Sequence, residues 1–203
     1  MKRFLIILFA LFASLSVDAQ GGGVEVLRAM SERVARMTPY RIDFVLEMPI
    51  SEGGSEGYCL VDGKRYVVGI EELMQGCDGE AVWSVNGLNR EITLDDPKPH
   101  SRSLFDNPTR AFDFEEGMFR IVGFDERDRG VWRFVLTPAE GVLDGIERVT
   151  LEVSRKTGLP TLLGYDMGGV ELFVKIGKFA TTTTTDEDFL QPKIEGFEVI
   201  DFR

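Results

Sequence analysis

The chain holds one histidine, His100, in the run Pro97-Lys98-Pro99-His100-Ser101-Arg102. A nucleophilic site needs its histidine packed between a nucleophile and an orienting carboxylate. A histidine flanked by proline, lysine, serine and arginine reads instead as part of a solvated loop. The two cysteines, Cys59 and Cys77, stand well apart in the chain. One histidine and two separated cysteines do not make a zinc site. Phosphate-cradling, dinucleotide and calcium-loop motifs are absent from the sequence. Carboxylates are plentiful. Glu115-Glu116, Asp95-Asp96 and Asp125–Asp128 are the pairs a glycoside hydrolase would use. All fall in predicted turns or at element ends, where solvated surface is the plainer reading. The expectation is a protein without catalytic residues, metal or cofactor.

The elements that would hold such residues are mostly strands. In residues 149–154 Val149, Leu151 and Val153 alternate with Thr150, Glu152 and Ser154, the period of a half-buried strand. Gly158 and Pro160 mark the turn that follows. The same alternation recurs through 42–48, 58–61, 65–70, 73–77, 81–85 and 90–94, with turns at Asp62-Gly63, Asp78-Gly79 and Asn86-Gly87. It returns at 120–124, 131–137, 146–154, 161–166, 170–179 and 197–202. The SEGGSEG run at 51–57 reads as a loop. Residues 95–111 form a long proline-containing loop, and Asn107-Pro108 opens a short helix expected over 112–119. Residues 24–37 place Leu27, Met30, Val34 and Met37 on one helical face, after a flexible Gly21–Gly23 leader. Asp186–Phe189 suits a single helical turn.

Phe44, Leu46, Leu60, Tyr66, Val68, Trp83, Val85, Trp132, Phe134, Leu136, Leu151 and Val153 occupy in-phase strand positions. Two readings stay open for them. One is an ordinary sandwich core. The other is an incompletely closed barrel with an apolar interior suited to acyl chains, at about 0.8 kcal/mol per buried CH₂. In that reading Leu27, Met30, Val34, Phe112 and Phe119 act as a lid.

The first residues fit an export signal. Lys2 and Arg3 precede an apolar run from Phe4 to Val17, and Val17 and Ala19 suit a cleavage site after Ala19. That assigns 1–19 to a signal peptide and 20–203 to a single domain, soluble and outside the cytoplasm. A net charge of −11 excludes nucleic acid as a partner and disfavours anionic membrane surfaces. An oxidising compartment permits a disulfide between Cys59 and Cys77. Their strands, two apart in a simple meander, lie roughly 9–10 Å from one another. A disulfide and two buried free thiols both remain open.

The order of pieces resembles the LolA-type outer-membrane lipoprotein carriers. The residues that carry the likeness are Asp78-Gly79 with Trp83, Phe134-Val135-Leu136-Thr137-Pro138, Thr157-Gly158-Leu159-Pro160 with Asp166, and the terminal Phe197-Glu198-Val199-Ile200-Asp201. The resemblance spans roughly 24–203. It implies a mainly β (α+β) fold: an open, incomplete antiparallel β-barrel of about 11 strands, with 2–3 helices packed against its concave face. It also implies a monomeric periplasmic chaperone that shields lipoprotein acyl chains. Its partners would be acylated lipoproteins or lipids and an inner-membrane lipoprotein-release ABC transporter. The stretch where such carriers have an arginine that affects transfer reads Leu60-Val61-Asp62-Gly63-Lys64-Arg65 here, with Lys64 and Arg65 nearest that place. The alternative is a lipid-binding, sensor or scaffold protein of the same fold.

Overall fold

The computed structural model describes residues 18–48, 53–115, 117–126, 128 and 130–203. Most of the expected signal peptide therefore lies outside the described residues. One helix, α1 (Asp18–Ala35), precedes a run of strands. These are β1 (Tyr40–Glu47), β2 (Gly54–Asp62), β3 (Arg65–Ile70), β4 (Leu73–Cys77), β5 (Val82–Asn86) and β6 (Glu91–Asp95). A second run follows: β7 (Phe119–Asp125), β8 (Val131–Pro138), β9 (Arg148–Ser154), β10 (Pro160–Asp166), β11 (Glu171–Thr181) and β12 (Glu198–Asp201). All belong to one open 12-stranded sheet in the order β12-β6-β5-β4-β3-β2-β1-β11-β10-β9-β8-β7.

Two antiparallel meanders are thus stitched together where β1 meets β11, Tyr40 facing Thr181 across the seam. The open, mainly β architecture expected from the sequence is present, with β7 and β12 as free edges. The last strand departs from it. Glu198–Asp201 runs parallel to β6, so the chain after β11 must cross one face of the sheet to reach that edge. We call residues 182–197 the strap. It contains a single 3₁₀ turn, Asp186–Phe189, capped reciprocally by Thr185 and Asp188.

Three local expectations are corrected. Gly21–Gly23 is not a leader but part of α1. Part of the SEGGSEG run belongs to β2, which begins at Gly54. Gly57 faces Phe44 across the ladder, and a Cβ there would stand 2.6 Å from that ring. The glycine is there because the ring lies across it. Third, the helix expected over 112–119 is absent. Pro108–Arg110 makes one 3₁₀ turn and Phe119 already belongs to β7. Asn107 does not cap that turn: its side-chain amide donates to the Lys98 carbonyl at 3.2 Å.

The sheet is apolar on both faces over its β2–β6 half. On one face, α1 and the 104–114 segment cover a main core that includes Ile42, Phe44, Phe134, Leu136, Leu151, Val153 and Val174. On the other, the strap covers a smaller core of Val67, Trp83, Val85, Ile92 and Phe189. Cys59 and Cys77 are free and buried. Cys59 faces Val68, and Val68 faces Gln75, so Cys77 is displaced two residues along β4 as well as two strands away. That is beyond disulfide reach. Burial pushes both thiols above the ordinary cysteine range.

Candidate functional site

The helix-covered face is where the structure gathers most of the expected apolar residues. Phe44, Tyr66, Val68, Phe134, Leu136, Leu151 and Val153 are buried in the main core, with Leu46 and Trp132 packed at its margin. Leu27, Met30 and Val34 of α1 and Phe112 lie over them, also buried, and Phe119 borders the group from β7. Leu60, Trp83 and Val85 belong elsewhere. They join the core beneath the strap, on the opposite face. In β5 both parities are apolar (Val82 faces the main core, Trp83 and Val85 the other), so alternation fixed the period but not the side.

Segment 104–108 is tied to the sheet by three buried phenols from three strands. The Tyr66 hydroxyl donates to the Asp106 carbonyl at 3.0 Å, and the Tyr40 hydroxyl to the Pro108 carbonyl at 3.5 Å. The Tyr165 hydroxyl accepts the Leu104 N–H at 3.1 Å. A covered loop must place its backbone polar groups somewhere, and here phenols take that role. Desolvation raises all three phenol pKa values, keeping the hydroxyls neutral. Farther along the covering segment, the chain reaches α1, where Ser31 Oγ accepts the Phe114 N–H at 3.2 Å. Tyr66 was among the in-phase residues of the sequence and Tyr165 fell within an expected strand, while Tyr40 lay outside one; nothing in the pattern marked the three hydroxyls as anchors.

Of the candidate carboxylates, Asp95, Asp96 and Asp128 are exposed, Glu115 is bonded to an arginine, and Glu116 lies outside the described residues. His100 is exposed in its loop. Asp113 receives Arg110 Nη2 at 2.7 Å, and Glu115 receives Arg102 Nη2 at 3.0 Å. Arg102 is itself buried and also donates through Nε to the Asp113 carbonyl. This network holds the covering segment closed on itself. Among the described residues, no cluster of histidine, cysteine and carboxylates could hold a metal. Lys64 is exposed in a turn. Arg65 points to the strap face, bonding Asp62 and Asp186 at 2.6 Å each and lying over the Phe189 ring. It therefore clamps the strap and stands away from the helix-covered face.

Two clefts flank α1. One, of about 460 Å³, lies between the helix and the 113–121 stretch, with Val24, Leu27, Phe114, Phe119 and Ile121 among its walls. The other, of about 410 Å³, lies between the opposite side of the helix and β8–β9, where Met30, Trp132 and Val153 meet. Both fall within the roughly 300–1,000 Å³ of small-molecule sites. Each reaches residues of the main core, so the helix sits in a trough with an apolar opening on either side.

No family model matches the chain, and no curated protein matches it. Solved structures do. An uncharacterised conserved protein of Thermus thermophilus is 13% identical, with a TM-score of 0.58 over 89% of this chain and 99% of its own. A LolA superfamily protein of Nitrosomonas europaea is 11% identical at a TM-score of 0.45, over 82% of this chain and 96% of its own. A DUF1329 family protein of Desulfovibrio piger is 9% identical at 0.46, over 82% and 97%. The Thermus likeness carries the fold and nothing further. The family resembled by the sequence motifs is represented by name among these structures.

Proposed function

We propose that this chain is a non-enzymatic binding protein for acyl chains, held on the helix-covered face beneath α1 and the 104–114 segment. The observation that carries the reading is the pair of apolar clefts along α1, each running down to core residues. Acyl chains entering there displace helix side chains from the sheet and exchange one apolar contact for another. Such an exchange costs little beyond the loosening of a cover held by three phenol hydrogen bonds, each worth about 0.5–1.5 kcal/mol net. Phe44, Leu46, Tyr66, Val68, Trp132, Phe134, Leu136, Leu151 and Val153 form the floor, and Leu27, Met30, Val34, Phe112 and Phe119 the cover. The finer reading is the one the sequence motifs imply: a periplasmic carrier that takes lipoprotein acyl chains from an inner-membrane release complex to the outer membrane. An export signal at 1–19 is consistent with it.

The test is native mass spectrometry of the full chain purified from its host without detergent, followed by organic extraction. An acylated protein bound at one per chain supports the carrier. Free lipid alone keeps acyl binding and changes the cargo. A chain that emerges empty and takes up no added fatty acid sinks the proposal.

A further inference from the structure

The two clefts beside α1 differ in charge. The one facing 113–121 is bordered by Arg28, Glu32, Asp113 and Glu115. The one facing β8–β9 is bordered by Arg33, Arg36 and Arg155 against a single carboxylate, Glu25. Three arginines lining one apolar opening stand out in a chain of net charge −11. Their ordinary partners do not absorb them. Arg33 makes no side-chain hydrogen bond or ion pair among the described residues. Arg36 has only an exposed contact to Glu32 at 3.5 Å, a pair worth little. Arg155 is positioned by the backbone: it donates to the Val131 and Glu126 carbonyls and lies 5.2 Å from the Trp132 ring. That fixes a guanidinium at the mouth of the cleft, directly above apolar floor.

We propose that this cleft takes a single-chain amphiphile with an anionic end group, carboxylate or phosphate. Arg33, Arg36 and Arg155 surround the end group, and the chain lies on Met30, Trp132 and Val153. The assignment rests on the acyl-binding reading above and adds to it the polarity of entry: anionic end at β8–β9, none at the acidic cleft. Guanidinium forks match both carboxylate and phosphate oxygens. The competing role for Arg33 and Arg36 is to complement the C-terminal end of α1, which needs no ligand.

The experiment uses the full chain and two fluorescent probes, dansyl-undecanoic acid and its methyl ester. The acid is expected to bind about tenfold tighter than the ester, the size of one hydrogen bond to a charged group. That preference should shrink as salt screens it. The double variant Arg33→Glu/Arg36→Glu should erase the preference while leaving ester binding intact, which also shows that the cleft survives folding. Arg28→Glu, at the acidic cleft, should leave the preference as in the parent. Displacement of the dansyl acid by laurate or by dodecyl phosphate assigns the end group. Equal binding of acid and ester by the parent overturns the inference while acyl binding stands. So does a preference that persists in the double variant. A parent that binds neither probe overturns both readings.

Discussion

At the scale of the residue, several of the tightest constraints come from glycine lying under an aromatic ring. Phe44 covers Gly57, Tyr58 covers Gly69, Trp83 covers Gly76 and Phe173 covers Gly164, each a cross-strand pair. The ring lies flat over the neighbouring strand because no Cβ stands in its way. At Gly76 a Cβ would fall 2.2 Å from the Trp83 ring. That ring is also pinned, its indole N–H donating to the Phe189 carbonyl at 2.9 Å. Gly76→Ala should therefore cost about 2 kcal/mol through overpacking. Gly22 in α1 has nothing within 4 Å of its Cβ position. There alanine removes a backbone-entropy penalty and should stabilise by up to ~1 kcal/mol. Urea unfolding of the two variants tests both signs. If Gly76→Ala unfolds with the parent, the ring is not held over that strand.

At the scale of the element, the strap is secured by ion pairs as much as by Phe189. Asp62 accepts the Thr184 hydroxyl at 2.8 Å and Arg65 Nη2 at 2.6 Å, while Arg65 Nη1 reaches Asp186. The Thr184 hydrogen bond first, and the Arg65 one second, hold the Asp62 carboxyl below the ordinary carboxylate range. A carboxylate depressed in the folded state contributes stability above its unfolded pKa of ~3.9 and loses it as pH falls through the folded value. Asp62→Asn should thus be less stable than the parent at pH 7. The gap should close as the pH drops below about 4. Stability curves measured from pH 7 to pH 3 check this, and a gap that stays constant would place the clamp elsewhere. Nothing in the sequence announced the clamp. Asp62-Gly63 was legible as a turn, but Thr184, which bonds Asp62, and Asp186, which bonds Arg65, lie more than a hundred positions later.

At the scale of the whole molecule, β1 is the shared member of both meanders. It pairs with β2 on one side and β11 on the other. The strap then leaves the second meander and ends as an edge of the first. The two halves are therefore closed by long-range contacts at the seam and the far edge alike. They should unfold as one unit. The two tryptophans report on different cores: Trp83 lies beneath the strap and Trp132 beside α1. In each of the variants Trp83→Phe and Trp132→Phe, fluorescence and far-UV circular dichroism should give the same urea midpoint. A remaining tryptophan that responds before the circular dichroism would mean that its core opens separately.

The sequence by itself determined the strands, most of their turns and the amphipathic helix that precedes them. These follow from periodicity and turn chemistry, which act over a few neighbouring residues. It also supplied most of the residues of the helix-covered face. Three things were decided only by tertiary structure. The side taken by Leu60, Trp83 and Val85 depended on a strap whose path no local pattern records. The 112–119 segment yielded its expected helix to a covering loop: the phenols of Tyr40, Tyr66 and Tyr165 hold the backbone just before it, at 104–108, and Ser31 of α1 receives the Phe114 N–H. The arginines of the second cleft come from two distant places in the chain, Arg33 and Arg36 at the end of α1 and Arg155 after β9, and read singly as surface charge. Packing α1 against β8 and β9 brought their charges to one opening, because charge converges through contacts between elements, which alternation within a single strand or helix does not encode.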